Sequence, residues 1–402
     1  MAIEAAKIAA ARAHLDFMDR QYFPSLQGSG SYTRSSEVAG GTITVQPPAG
    51  SPITATLPSG LQDAFVFRLG LQQPLFTGYR IEAGISQAKA GLASARADAA
   101  AKKKDAAAAI EKAWWTLVLA QESMRVVDES AASIRAHVIE AQKRLDRGLA
   151  LRSELLAARM RVDDLEALLS DARSSLSLAR ARLNLLLGLA WDAPTIALVP
   201  SELEGPSPLP SMDGLIARAK STRPELLSAS ARIASAVAAE RLARSALLPN
   251  VSLTGSISLA DPNPRAFPQR AGFEPLWDLG LIVSMDLGRI PSALSQVEEA
   301  HANADQSRLA QDQAGDAVTL EVVSAWLEFS RTADRLKATA SSVGLTEDSL
   351  RSQKDRFAAG LALSTEVSDA ETALLRSKLE RTRSRIAWEL ARAALRDALG
   401  GD

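Results

Sequence analysis

Cysteine is absent from this sequence, aromatic residues make up 4% of its 402 positions, and the charges cancel to a net −1. Without thiols there are no disulfides, no cysteine nucleophile and no thiolate metal site. The near-neutral charge lacks the basic footprint that nucleic-acid binding leaves. No run of 18 apolar residues occurs, which excludes a transmembrane helix. The start, Met1-Ala2-Ile3-Glu4, has no basic-then-apolar signal segment. That start suits either an intracellular protein or a mature or trimmed chain. Enzymatic motifs are missing too: no phosphate-binding Gly-Lys-Ser/Thr, no nucleophile elbow, no His-rich metal pattern. His14, His137 and His301 are isolated and read as surface or packing residues. No catalytic residue, metal or cofactor is expected.

What remains is 47% hydrophobic, much of it alanine, the composition of long helices. From Tyr79 to Asp146 nothing breaks a helix, and at about 1.5 Å per residue such a helix spans on the order of 100 Å. A second helix runs from about Arg152 to Leu187. Leu155, Val162, Leu169, Leu176 and Leu183 recur in it every seventh position. Ala158, Leu165, Ala172, Ala179 and Leu186 fill the second heptad position, giving a close-packing coiled-coil seam. Lys102, Lys103 and Lys104 read as a solvated helix face. A third helix is expected from Ser211 to Leu248, with Arg223-Pro224-Glu225 inside it.

Between helices lie alternating segments. In Leu26–Thr33, Gln, Ser and Thr take every second place; Gly28 and Gly30 there suggest close packing in a lumen. Phe65, Phe67, Leu69 and Leu71 share one face of the next strand. Residues 35–60, rich in Gly, Pro, Ser and Thr, read as a long loop.

The pattern then restarts. Leu145 to Glu154, with Gly148-Leu149-Ala150-Leu151 at its centre, reappears as Phe357 to Glu366 around Gly360-Leu361-Ala362-Leu363, 212 positions on. Trp114 and Trp326 keep the same offset, as do Leu187-Gly188 and Leu399-Gly400. This is a tandem duplication. Repeat 1 covers 1–188, with strands at about 25–34 and 62–73 and a hairpin at about 79–188. A Pro-rich belt occupies 189–210. Repeat 2 covers 211–402, with strands at about 250–260 and 276–286 and a hairpin at about 290–400. Four two-faced strands with no globular material to cover their apolar side suit a barrel in lipid around a wet interior. Closure would take strands from several chains, hence a ring-shaped oligomer.

This order of elements, played twice, resembles the TolC-type outer-membrane factors. The matches are Pro74-Leu75-Phe76-Thr77-Gly78, Arg147-Gly148-Leu149, Ala359-Gly360-Leu361, Leu185-Leu186-Leu187-Gly188, Arg223-Pro224-Glu225 and Leu247-Leu248-Pro249. The resemblance implies a mainly α chain with a membrane β-barrel portion. Its long hairpins would form a trimeric α-barrel in the periplasm, and four strands per chain would complete a twelve-stranded barrel in outer-membrane lipid. It further implies a passive exit duct for efflux or type I secretion, docked on a periplasmic membrane-fusion adaptor and an inner-membrane transporter. The competing expectation is a soluble coiled-coil scaffold, which explains the heptads but not the four strands. Relative to the family, repeat 1 lacks a segment to pair with residues 201–225, so the N-terminus is expected to be trimmed.

Glu366 and Asp369 fall one helical turn apart, where family members carry acidic residues around the pore mouth; Glu154 is the first-repeat counterpart of Glu366. A family latch places Tyr three positions before the second turn's glycine and Arg two after it. Here stand Phe357 and Ala362, which can supply neither the hydroxyl bond nor the charge. Packing at Phe357 or the acidic ring is left to hold a closed state. Arg147, Gly148, Leu149, Ala359, Gly360 and Leu361 are the candidate adaptor-docking tips. The glycines serve as turn residues, and the leucines are apolar at an exposed position.

Overall fold

The computed structural model describes residues 2–56, 61–198, 211–266 and 271–401. Part of the Pro-rich belt therefore lies outside the described residues. In chain order the elements are helix α1 (Ala2–Asp19), strands β1 (Ser25–Arg34), β2 (Thr42–Val45), β3 (Ile53–Thr56) and β4 (Asp63–Phe76). Next come helices α2 (Arg80–Asp146), α3 (Arg152–Leu186), α4 (Met212–Thr222) and α5 (Pro224–Arg244). Strands β5 (Asn250–Asp261) and β6 (Glu274–Ser284) and helices α6 (Ile290–Ala358) and α7 (Ser364–Ala398) complete the order.

Two compact units divide the chain. The strand-bearing unit comprises 2–96 and 228–310, and its four-stranded antiparallel sheet has the order β1-β4-β5-β6. Register pairs Phe67 with Leu259, Leu69 with Ile257 and Ile257 with Trp277, and sets Leu71 and Leu279 across Gly255. Those side chains share one face and are exposed. Arg68, Gln72, Thr254, Ser256 and Asp278 lie on the other, where Ser256 Oγ donates to Asp278 at 2.6 Å. Gly28 and Gly30 pair with Leu69 and Phe67. They therefore belong to the apolar face and not to the polar, lumen-like one. A Cβ on Gly30 would meet the Phe67 ring at 3.2 Å, so the glycine leaves room for that ring to lie across the strand. Within the expected loop 35–60, β2 and β3 pair as a short hairpin, Thr42 against Thr56 and Val45 against Ile53. Their β-branched residues favour an extended backbone despite the flanking Gly and Pro.

The helical unit comprises residues 97–227 and 311–402. Leu155, Ala158, Leu165, Leu169, Ala179 and Leu183 of the α3 seam are buried, whereas Leu186 at the helix end is exposed. The third helix is not continuous. Arg223 adopts an extended conformation (φ −66°, ψ 121°), because the ring of Pro224 disfavours the α region for the residue before it. The break has partners. Arg223 is buried, donates Nε–H to the Ala398 carbonyl at 3.0 Å and pairs with Glu321 at 2.6 Å. Lys104 is not a solvated lysine either: its side chain is 10% exposed and pairs with Glu225 at 2.9 Å. Burial alone would push the Glu225 carboxyl up, but the Lys104 and Arg223 charges beside it hold it below its usual range.

Candidate functional site

The two hairpin turns share one backbone solution. Gly148 (φ 72°) and Gly360 (φ 76°) take the left-handed conformation that side chains disfavour. Leu149 N–H reaches back to the Arg144 carbonyl at 2.8 Å, and Leu361 N–H to that of Arg356 at 2.8 Å. Gly148 and Gly360 N–H bond the carbonyls of Leu145 (2.9 Å) and Phe357 (3.0 Å). This double closure is the Schellman motif, which satisfies the last carbonyls of α2 and α6. Leu149 and Leu361, each 72% exposed, project from the turns.

Side chains then make the two turns different. Phe357 is buried with Leu350 and Val367. The guanidinium of Arg144, from the first hairpin, lies 4.0 Å from its ring centre and donates to the Ala358 carbonyl at 3.1 Å. Behind Phe357 stands His137, also buried, its ring 5.4 Å away and its Nε2 2.9 Å from Ser364 Oγ. Burial lowers the His137 pKa below the ordinary imidazole value. Lys354 and Arg144 push the same way, while Glu371 and the Ser364 hydrogen bond oppose them. One turn along, the buried Glu371 carboxylate accepts from Ser133 Oγ at 2.9 Å and pairs with Lys354 at 3.2 Å. Arg144, His137 and Ser133 come from α2; Lys354, Phe357, Ser364 and Glu371 come from α6 and α7. The site is a cross-hairpin polar network around one buried ring.

The acidic candidates are engaged rather than free. Glu366 Oε1 accepts from Leu363 N–H at 3.4 Å, closing the first turn of α7, and its Oε2 lies 4.0 Å from Arg356. Asp369 pairs with Arg161 of α3 at 3.2 Å. Glu154 does not close its own helix. Its Oε2 accepts from Ser364 N–H at 3.5 Å, on the other hairpin. Ala362 packs against the Phe357 cluster, and Arg147 and Ala359 remain exposed at the turns. Sequence reading missed Arg144, His137, Ser364, Lys354 and Glu371. A lone His and a lone Glu on separate helices carry no spacing signal when Ser364 lies 227 positions from His137 and Ser133 lies 238 from Glu371.

The sheet is the second functional surface. Tyr32, Phe65, Phe67 and Phe273 cluster at one end, with Tyr32 and Phe65 ring centres 4.8 Å apart. At the other end stand Tyr22, Phe23, Phe76 and Tyr79. About ten residues separate the two aromatic sets along β4, roughly 33 Å at 3.3 Å per residue. With the usual tilt of about 40° this becomes a band about 25 Å tall, the apolar height of outer-membrane barrels.

A two-faced four-stranded sheet together with long paired helical hairpins is the set of elements that makes up the TolC-type fold. The fold of CusC, from a study of folding and transmembrane channel formation, covers 100% of this chain and 88% of its own at TM-score 0.81 and 20% identity. VceC, an outer membrane protein of Vibrio cholerae, does so over 100% and 92% at TM-score 0.79 and 20% identity. Outer membrane protein TolC of Vibrio cholerae is 32% identical over 157 residues, 38% of this chain. That match spans 34% of the relative's length. The family profile described as outer membrane efflux protein matches residues 1–189 and 215–401. The chain belongs to the outer membrane efflux protein family, a family of outer-membrane channels and not of enzymes.

Proposed function

We propose that three copies of this chain form the exit duct of an efflux or secretion assembly. The barrel would sit in the outer membrane and the helices in the periplasm. The observation that carries this reading is the sheet. Its apolar side chains are exposed, Trp277 at 73%, and the outer edges of β1 and β6 are unpaired among the described residues. Such a surface in water would aggregate. In lipid, with edges joined to neighbouring copies, it closes. The polar face then lines a wet lumen and conduction needs no chemistry.

The exposed Leu149 and Leu361 turns are the surface offered to a periplasmic adaptor, which in turn would connect an inner-membrane transporter. Gating belongs to the second turn. Arg144 on Phe357 supports a latch in which the cation comes from the first hairpin and the ring from the second. Glu154 on Ser364 ties the same two elements. Glu366 and Asp369 would contribute negative potential at the mouth once Arg356 and Arg161 swing away.

The test is native protein extracted from outer membranes with detergent. An unheated sample should migrate as a trimer and conduct in planar bilayers. A detergent-independent monomer without conductance would refute the duct.

A further inference from the structure

We propose that the junction between β4 and α2 holds the headgroup of a zwitterionic aminophospholipid, its phosphate on Arg241 and its ammonium on Glu82. The inference rests on the barrel lying in a membrane, and uses only the strand-bearing unit. A cleft of about 360 Å³ opens there between Tyr79, Glu82, Ala83 and Ser86 on one side and Arg241, Arg244, Ser245 and Leu248 on the other.

Its level is fixed by the sheet. Beyond a bulge after Pro74, Phe76 pairs with Val251, and Val251 with Val283. Phe76 therefore belongs to the apolar face, and Tyr79 stands edge-on to it at 5.4 Å. The cleft thus begins where the apolar band ends, at headgroup depth, with exposed Leu75 and half-buried Phe76 leading into it. Tyr79 is held there by strain. It has φ 67°, a left-handed conformation adopted by no other non-glycine among the described residues. Such a conformation is disfavoured for an L-residue, whose Cβ crowds the following carbonyl oxygen. The preceding Gly78 is obligatory, since a Cβ would meet the Ser245 carbonyl oxygen at 2.7 Å. Local packing thus fixes a strained, 60% exposed phenol at the rim of a charged cleft.

The charges select the ligand. Arg244 is already paired with Glu240 at 2.6 Å. Arg241 is exposed and has no ion pair among the described residues. Glu82 faces the same space, beside Tyr22, whose phenol is pushed up by burial and by the Glu82 carboxylate. One free guanidinium and one carboxylate, walled by Ala83 and Leu248, complement a phosphate and a primary ammonium on a lipid. A trimethylated ammonium cannot donate a hydrogen bond to Glu82, and a glycerol headgroup brings no cation.

The experiment uses the full-length trimer in detergent, reloaded with dioleoyl-phosphatidylethanolamine, -phosphatidylcholine or -phosphatidylglycerol and weighed by native mass spectrometry. Soluble glycerophosphoethanolamine serves as a competitor. Wild type should retain the ethanolamine lipid in preference to the other two, and the soluble headgroup should not displace it. Arg241→Gln should lower its retention about tenfold, the scale of one charge-assisted hydrogen bond. Glu82→Gln should abolish discrimination against the choline lipid. Equal retention of all three lipids, full retention by the Arg241→Gln trimer, or displacement by the soluble headgroup would overturn the inference while leaving the duct intact. Failure to form a detergent-dependent trimer would instead overturn the duct.

Discussion

The two hairpin turns have the same backbone and opposite fates. Gly148 and Gly360 differ by 4° in φ, and the same pair of hydrogen bonds closes each helix. Yet where the first turn has half-buried Leu145, the second has buried Phe357; where the first has exposed Arg152, the second has buried Ser364. A turn motif sets direction and leaves attachment to the side chains. The second turn is held by α2, while the first mainly supplies the holders, Arg144 and Glu154. If the second tip is the gate, as proposed, its twin serves as the frame.

That contrast can be broken in graded steps. Phe357→Ala should cost about 3–5 kcal/mol locally. Amide exchange across 350–367 should then accelerate and single-channel conductance rise. Leu145→Ala should do distinctly less, and equal effects would erase the distinction. Next, Lys354→Met leaves the buried Glu371 carboxylate without its cation. Because Lys354 is itself 44% exposed, we expect about 1–2 kcal/mol, well below the loss for a fully buried pair. Double substitution with Glu371→Gln should recover most of it in the heat-resolved trimer assay.

Acidity should act through His137. Its folded pKa is lowered, so the unfolded or detached state binds the proton more readily, and stability falls as pH drops below about 6.5. Channel opening at mildly acid pH should therefore increase in wild type and flatten in His137→Gln. An unchanged pH profile in the variant would remove His137 from the latch. Arg144→Gln should weaken closure by about 0.5–2 kcal/mol, the range of a partly covered cation–π contact. The smallest change belongs to Glu154→Ala, a few tenths of a kcal/mol to about 1, as for a lost helix cap. It should loosen the second hairpin rather than its own.

Much of the fold was legible in the sequence, since helical length needs only the absence of breakers and strand faces follow from alternation. Pro224 was visible, but its effect was underestimated: the break is stabilised by Arg223 reaching the end of α7, a partner 175 positions away. The glycines of β1 were assigned to the wrong face because alternation alone does not say which side a small residue serves. The register with Phe67 does. At the tips, Phe357 was recognisable by its departure from the Tyr latch. Its partner Arg144 was not, because Arg144 and Arg356 are equivalent in the two repeats and only their surroundings differ. The β2–β3 hairpin was hidden by flanking Gly and Pro.

The open edges of the sheet also bear on the order of assembly. Each helical hairpin can zip along its own chain, at a rate indifferent to how many copies are nearby. A barrel closed between copies cannot. Its formation would be a collision-limited step, slow at low expression and error-prone at high expression, when the β1 edge of one chain can meet the wrong partner before lipid covers the sheet.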